Sequence, residues 1–138
     1  MGKTMNIKNI SFGILLGLYG GGAALANPTG ANVVHGSASI SANGDLLQIT
    51  NSPNAIINWQ SFSIANGETT QFIQQNAQSA VLNRVVGNNL SEIHGTLSSN
   101  GRVFLINQAG IVFGENALVD TAGLLASSLN ISNEDFLA

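Results

Sequence analysis

The sequence predicts an all-β protein whose short strands wind as successive coils of a β-solenoid. Short runs of β-branched and apolar residues alternate with turns rich in Asn, Gly and Ser, roughly every 8–12 residues, and this spacing is typical of all-β folds. Charged residues make up only 8% of the 138 residues, against about 25% in ordinary soluble domains. The polarity is carried instead by 18 Asn and 7 Gln, and amides suit both turns and stacked ladders.

Residues 1–26 are predicted to form a secretion signal that is removed from the mature protein. Two lysines give a positively charged start, the stretch 10–23 is uncharged and apolar, and residues 24–26 (Ala-Leu-Ala) fit a cleavage site. The Sec machinery would therefore export the chain, and the mature domain would comprise residues 27–138. A transmembrane anchor is the alternative, but the apolar stretch is short for a membrane span.

The mature domain would be acidic and free of cysteine. Two arginines stand against seven acidic residues, which gives a formal charge of −5. Nucleic acids and anionic membranes attract clustered Lys and Arg, so neither is an expected partner. Without cysteine there is no disulfide framework, and stability must come from packing and hydrogen bonds.

The N-terminal half of this domain is predicted to contain four β segments separated by turns. Residues 33–42 and 45–50 flank Asn43-Gly44, a dipeptide that favours a two-residue hairpin. Residues 55–64 follow a Pro-containing loop and combine Ile, Trp and Phe at alternating positions. The fourth segment, 69–73, follows another Gly-containing turn.

The C-terminal half continues the pattern of short segments and Gly-rich breaks. The predicted β segments there are residues 80–86, 91–97, 103–106, 111–113 and 117–121. None shows the sustained i, i+3, i+4, i+7 periodicity and the capping residues of a helix. The stretch 123–136 is compatible with either a strand or a helix.

A weak internal repeat favours a solenoid over a sandwich. Leu82-Asn83-Arg84-Val85 recurs loosely as Leu105-Ile106-Asn107, which places Asn83 and Asn107 24 residues apart. A solenoid coil takes about 20–25 residues, so this offset fits one coil. The turn Asn107-Gln108-Ala109-Gly110 would then be a corner between two coil strands, although its Asn and Gly suit a hairpin equally well.

Several segments together carry a resemblance to a known family. The mature domain resembles the N-terminal secretion domain of filamentous haemagglutinin and high-molecular-weight adhesin exoproteins, the exported partners of bacterial two-partner secretion. The matching segments are 33–36 (VVHG), 54–62 (NAIINWQSF), 80–85 (AVLNRV), 93–97 (IHGTL), 100–114 (NGRVFLINQAGIVFG) and 123–128 (GLLASS). The family's Asn-Pro-Asn-Gly-Ile motif stands here as Asn107-Gln108-Ala109-Gly110-Ile111, without the Pro that would fix φ.

This resemblance implies a fold and a role. The fold is a right-handed parallel β-helix with an N-terminal capping β segment, truncated relative to the family's domain. The role is secretion targeting, in which POTRA domains of an outer-membrane transporter recognise the domain in the periplasm. The exported protein would act at the surface of a Gram-negative bacterium as an adhesin or haemagglutinin. Exposed β segments would add to a POTRA sheet edge through main-chain hydrogen bonds.

The candidate partner-binding residues are Asn107, Gln108, Ala109, Gly110, Ile111, Asn83 and Arg84. Each has a structural alternative. The segment 107–111 could be a purely structural corner, Asn83 could belong to an internal amide ladder or to a surface turn, and Arg84 could pack its stem across a coil face. Trp59 and Phe62 are expected to be core residues rather than partner contacts.

Other functions remain open to this sequence. A stand-alone surface module that binds a glycan or protein of a host cell is compatible with an Asn- and Ser-rich solenoid, and so is a truncated remnant without function. Catalysis is not expected, because the acidic residues are scattered and no Ser/His/Asp or Cys/His arrangement is evident. His35 and His94 lie far apart in a chain without cysteine, so neither a metal site nor a cofactor is expected.

Overall fold

The chain folds as a stack of parallel β coils closed at one end by antiparallel strands. The structure is a computed structural model that describes residues 27–138, so the predicted secretion signal lies outside the described residues. The strands are β1 (Asn32–His35), β2 (Ala38–Asn43), β3 (Leu46–Asn51), β4 (Ala55–Trp59), β5 (Thr69–Ile73), β6 (Ala80–Val85), β7 (Ser91–Ile93), β8 (Thr96–Ser99), β9 (Arg102–Asn107), β10 (Ile111–Phe113), β11 (Leu118–Asp120) and β12 (Gly123–Ser127). They are followed by one short helix, α1 (Asn133–Leu137).

Two long sheets and one short sheet form the sides of the stack. The first sheet has the strand order β1-β4-β6-β9-β12, the second β2-β3-β5-β8-β11 and the third β7-β10. Neighbouring strands are parallel, except for β1 with β4 and β2 with β3. Four coils therefore stack in register, and the β-solenoid that the sequence predicts is confirmed.

The antiparallel strands β1 and β2 form the N-terminal cap that the family resemblance implied. The sequence predicts one segment over residues 33–42, but the structure contains two strands there. The chain turns at Gly36, whose φ is +74°, so that β1 joins the first sheet and β2 joins the second. One continuous β segment is therefore a wrong prediction, because a single strand could not close both long sheets.

The hairpin between β2 and β3 also lies one residue later than predicted. Asn43 pairs with Leu46, so the two loop residues are Gly44 and Asp45 rather than Asn43-Gly44. The φ of Gly44 is +60°, as the first central position of a type II′ turn requires. The hairpin itself is confirmed, and its two loop residues are shifted by one position.

The repeat that indicated a solenoid is aligned differently in the structure. Asn83 of β6 pairs with Leu105 of β9, whereas Asn107 pairs with Val85. The 24-residue alignment of the two asparagines is therefore wrong by two residues. Since side chains alternate with a period of two along a strand, both asparagines still face the interior.

The interior of the stack is filled by aliphatic and aromatic side chains. Its largest fully buried members are Ile49, Ile57, Trp59, Phe62, Ile64, Phe72, Ile93, Leu97 and Leu105. The rings of Trp59 and Phe62 meet edge to face with centroids 5.7 Å apart, and Phe72 stacks on Phe62 at 6.4 Å. The expectation that Trp59 and Phe62 are core residues is confirmed.

The stretch 123–136, which the sequence left open, contains both a strand and a helix. Strand β12 pairs with β9, and α1 begins after Ser132, whose Oγ accepts a hydrogen bond from Asp135 N at 3.1 Å. This helix has five residues, and within residues 27–138 no helix is long and apolar enough to cross a membrane.

Strands β10, β11 and β12 form the last coil and are the outermost strands of their sheets. Phe113, Val119 and Leu124 lie above buried core residues of the preceding coil, yet each is more than a third exposed. No other described strand pairs with the outer edge of this coil. Such an edge presents main-chain donors and acceptors together with apolar side chains.

Candidate partner-binding site

The turn at residues 107–110 is a coil corner rather than a hairpin. It joins β9 of the first sheet to β10 of the third sheet, so the chain turns without reversing. Gly110 N donates to Asn107 O at 2.9 Å, and the φ of Gly110 is +115°, a value that glycine adopts readily. Ala109 N also donates to Asn107 Oδ1 at 2.9 Å. These bonds hold the corner without the proline of the family motif.

The side chain of Asn107 ties the corner to the preceding coil. It is 1% exposed, and its Nδ2 donates to Asn89 O and to Ser91 Oγ, both at 2.9 Å. Gly110 O in turn accepts from Ser91 N at 2.9 Å. Asn107 therefore shapes the corner from inside and offers little surface to a partner.

The next two residues of the motif point outward. Gln108 and Ala109 are exposed, whereas Gly110 and Ile111 are half-buried at the start of β10. A partner that approaches the corner would therefore meet Gln108 and Ala109 first.

A depression of about 460 Å³ lies beside this corner. It is lined by Arg84, Val85, Val86, Gly87, Asn88, Ile106, Gln108, Ala109 and Asn130. Three of the candidate residues, Arg84, Gln108 and Ala109, therefore meet at one surface. The depression lies between the loop that follows β6 and the corner that follows β9.

Asn83 lies on the other side of the first sheet. It is fully buried, and its Oδ1 accepts a hydrogen bond from Trp59 Nε1 at 2.8 Å. Its Nδ2 donates to Phe104 O at 3.2 Å. Asn83 is therefore an internal residue rather than a surface-turn Asn, but its partners are an indole N–H and a main-chain carbonyl rather than the amides of a ladder.

A second set of buried amides links three successive coils at another corner. Asn51 Nδ2 donates to Gln74 Oε1 at 3.3 Å, and Gln74 Nε2 donates to Ser99 Oγ at 3.1 Å. The Asn100 side chain adds two bonds to the main chain of Gln74, at 2.7 and 2.8 Å. The amide-rich composition thus serves internal ladders as well as turns.

Arg84 binds the C-terminal segment of the chain. Its Nε donates to Asn130 Oδ1 at 3.0 Å and its Nη1 to Asn133 Oδ1 at 2.9 Å, while Nη2 donates to Ile131 O. We call residues 130–136 the clasp. The sequence leaves residues 123–136 open between strand and helix and does not predict their contact with Arg84, although Ser132 with Asp135 three residues later is a recognisable helix-start signal.

Among residues 27–138, the remaining titratable groups do not gather into one cluster. His94 Nε2 lies 3.5 Å from Glu92 Oε1, and no cluster of three potential metal ligands occurs among residues 27–138. Burial raises the pKa of the Glu68 carboxyl above its ordinary value of 4.5. The Ala65 N–H, which donates to Glu68 Oε1 at 3.0 Å, opposes this shift, and nearby Asp45 adds to it.

Substitution Glu68→Gln is expected to raise stability at pH 7. Because the folded domain holds the Glu68 proton more tightly than the unfolded chain does, stability from this group is complete below pH 4.5 and is lost as the pH rises through the raised pKa. The gain should stay below about 1 kcal/mol, since the group is partly solvated. Thermal melts of both proteins from pH 3 to pH 8 would measure it. A gap that widens toward low pH would contradict this prediction.

Comparison with known proteins assigns this arrangement of coils, cap and corner to a family. Residues 24–138 match the model of the TPS secretion domain, the secretion domain of two-partner systems, and the chain belongs to that family. The resemblance noted in the sequence is thereby confirmed.

Similar proteins come from Haemophilus influenzae. The crystal structure of the HMW1 secretion domain superposes with a TM-score of 0.79 at 48% identity, over 80% of this chain and 30% of that one. A heme/hemopexin-binding protein is 37% identical over 105 residues, which are 75% of this chain and 12% of the relative. A second heme/hemopexin-binding protein is 39% identical over 80 residues, or 58% of this chain and 9% of that protein. The chain thus spans a small part of each relative's length.

Proposed function

We propose that this secretion domain targets its exoprotein to an outer-membrane transporter by binding the transporter's POTRA domains at the 107–111 corner. Secretion targeting is the role of the family to which the chain belongs. The observation that carries the proposal is that the corner has a buried structural residue and two exposed residues. Asn107 holds it from inside, while Gln108 and Ala109 remain exposed beside the depression that Arg84 also lines.

The strand that follows the corner supports binding through the main chain. β10 starts at Ile111 and is the outermost described strand of its sheet, with Val112 and Phe113 exposed. A POTRA sheet edge that pairs with β10 would gain main-chain hydrogen bonds, and the corner would add side-chain selectivity. Corner and edge together form one continuous surface.

We further infer the route and destination of the exoprotein. Sec export would carry the chain into the periplasm, and the transporter would deliver it to the surface of a Gram-negative cell as an adhesin or haemagglutinin. The relatives support secretion from a Gram-negative cell, since they include the HMW1 secretion domain and heme/hemopexin-binding proteins of a Gram-negative bacterium. A non-catalytic role is supported by the scattered acidic residues of the described chain.

Substitution Ala109→Glu is expected to weaken binding to the purified POTRA domains at least about tenfold. A charged side chain at the centre of the corner would block close approach and would lose its hydration in the complex. Because Ala109 is exposed, the melting temperature should stay within about 2 °C of the parent. Isothermal titration calorimetry would measure the dissociation constants.

Ala77→Glu supplies the matched control. Ala77 is also an exposed turn residue, but it follows β5 and does not line the depression. This variant should bind the POTRA domains as the parent does. Equal affinities of the Ala109 and Ala77 variants would remove the corner from the proposed interface, and a parent that does not bind at all would refute the proposed function.

A further inference from the structure

The outer face of the first sheet carries an apolar surface that the clasp covers. Ile56 of β4, Leu82 of β6 and Ile106 of β9 point away from the interior, yet they are at most 1% exposed. Ile131 and Phe136 of the clasp pack against them. We call this surface, formed by Ile56, Leu82 and Ile106, the outer groove.

Two side chains of the clasp contact the outer groove. Ile131 and Phe136 are half-buried, and Phe136 also meets Phe104 edge to face with centroids 5.2 Å apart. The other clasp residues are exposed. Besides these apolar contacts, the clasp is held by the three hydrogen bonds from Arg84. All of these contacts are made by side chains or by the Ile131 carbonyl, and the clasp pairs with no described strand of the coils.

Arg84 is bound to the clasp through neutral groups alone. Its three acceptors are two asparagine amides and a main-chain carbonyl. Within residues 27–138, no carboxylate lies within ion-pair distance of Arg84, although Glu134 and Asp135 belong to the same clasp. Hydrogen bonds from a guanidinium to a carboxylate are stronger than those to neutral oxygens. The cation thus retains an unused capacity for an acidic ligand.

The side-chain oxygen of Asn58, on the same face as Arg84, lacks a hydrogen-bond donor among the described residues. Asn58 of β4 is in register with Arg84 and faces outward beside it. Its Oδ1 is shielded from solvent, and no described residue donates a hydrogen bond to it. A buried acceptor without a donor costs free energy, so a ligand that supplies an N–H here would gain a hydrogen bond that the clasp does not provide.

We propose that the outer groove is a docking site for an acidic segment of the transporter's periplasmic domain, and that the clasp occupies this site until the transporter displaces it. This inference rests on the proposed function and specifies its interface. The segment would present two apolar side chains to the groove and a carboxylate to Arg84. The clasp, with Ile131, Phe136 and neighbouring acidic residues, has the same chemistry apart from the missing ion pair.

The groove is continuous with the corner surface. Arg84 and Ile106 belong to the groove face and also line the depression beside Gln108 and Ala109. Asn130 of the clasp also lines that depression. A partner bound at the corner therefore contacts the clasp directly and can replace it step by step.

Weakening the clasp should strengthen transporter binding. If the clasp covers the groove in most molecules, the apparent affinity is reduced by the fraction of open molecules. Phe136→Ala is expected to lower the dissociation constant for the purified POTRA domains about fivefold. Leu137→Ala is the matched control, because Leu137 lies on the same helix outside the groove contacts, and it should leave the affinity unchanged.

Removing the charge should act in the opposite direction. Arg84 also holds the clasp, so the charge is tested in the Phe136→Ala background, where the clasp is already weakened. There Arg84→Gln is expected to weaken binding about tenfold and to flatten the dependence of affinity on salt, because the ion pair is lost. Arg84→Lys should keep the salt dependence while losing part of the affinity. A structural role of Arg84 alone would not alter the salt dependence.

Hydrogen exchange on the unsubstituted chain tests displacement without any variant. Phe136 N donates to Ser132 O at 3.0 Å in the docked clasp, and its protection should fall when POTRA domains are added. Unchanged protection, with a parent that binds and an Ala109→Glu variant that does not, would overturn the groove proposal and leave the proposed function intact. Self-association of the Phe136→Ala variant in place of tighter transporter binding would also overturn it.

Discussion

Replacement of Trp59 by Ala is expected to destabilise the domain by about 3–5 kcal/mol. Trp59 is the largest fully buried side chain and lies at the end of β4, where the first coil meets the second. Its removal would leave a cavity beside Phe62 and would also leave Asn83 Oδ1 without its donor. Both effects reduce the free energy of unfolding, because the cavity loses packing and the amide oxygen stays buried.

Urea unfolding followed by circular dichroism would measure this loss and separate its two parts. Trp59→Phe keeps most of the ring volume but removes the Nε1–H donor, so it should cost about 1–3 kcal/mol, the cost of a buried unsatisfied group. The difference in the free energy of unfolding between the two variants then measures the cost of the cavity. A cost below about 1 kcal/mol for Trp59→Ala would contradict the core position of this residue.

The coil architecture could be predicted because its strands and turns are encoded by short stretches of neighbouring residues. Val103–Ile106, the turn Asn107–Gly110 and Ile111–Phe113 each show β or turn chemistry within a few residues. The pairing of one coil with the next is not local. Asn83 lies over Leu105 rather than near Asn107 because the loops between coils differ in length, and a slip of two residues leaves the inward pattern unchanged.

The two neighbouring candidates Asn83 and Arg84 show what the sequence could have resolved. Successive side chains of a strand point to opposite faces. Once residues 80–86 are read as a strand, these two residues cannot both contact the same partner. Asn83 faces Trp59 in the interior, and Arg84 faces the clasp outside. Strand alternation alone would have separated an internal amide from a surface cation.

The clasp could not be found by periodicity. α1 is too short to show a helical repeat, and the hydrogen bonds of the clasp go to Arg84, which lies 46 to 49 positions earlier in the chain. Apolar residues on both faces of β4, β6 and β9 were the available sign that a second layer covers the first sheet. Ile56, Leu82 and Ile106 belong to the outer of these two faces.

Substitution Gly95→Ala is expected to destabilise the domain by more than about 3 kcal/mol, at the upper end of overpacking costs. A Cβ at this position would lie 2.3 Å from the main-chain oxygens of both Ala65 and Glu68 in the preceding coil. Gly95 N also donates to Ile64 O at 3.1 Å, and Thr96 N donates to Glu68 O at 2.9 Å. Moving the coils apart to admit a methyl group would stretch these bonds, and no flexible side chain can move aside in their place.

Gly123→Ala is the matched control for this close approach between coils. A Cβ there would meet only the Arg102 side chain at 3.4 Å, an ordinary contact, and the backbone is not left-handed. Its stability should stay within about 1 kcal/mol of the parent, since alanine also restricts the unfolded chain. Urea midpoints of both variants would decide the matter. Equal stabilities of the Gly95→Ala and Gly123→Ala variants would contradict this prediction. They would mean that the coils at Gly95 can move apart without loss of their hydrogen bonds.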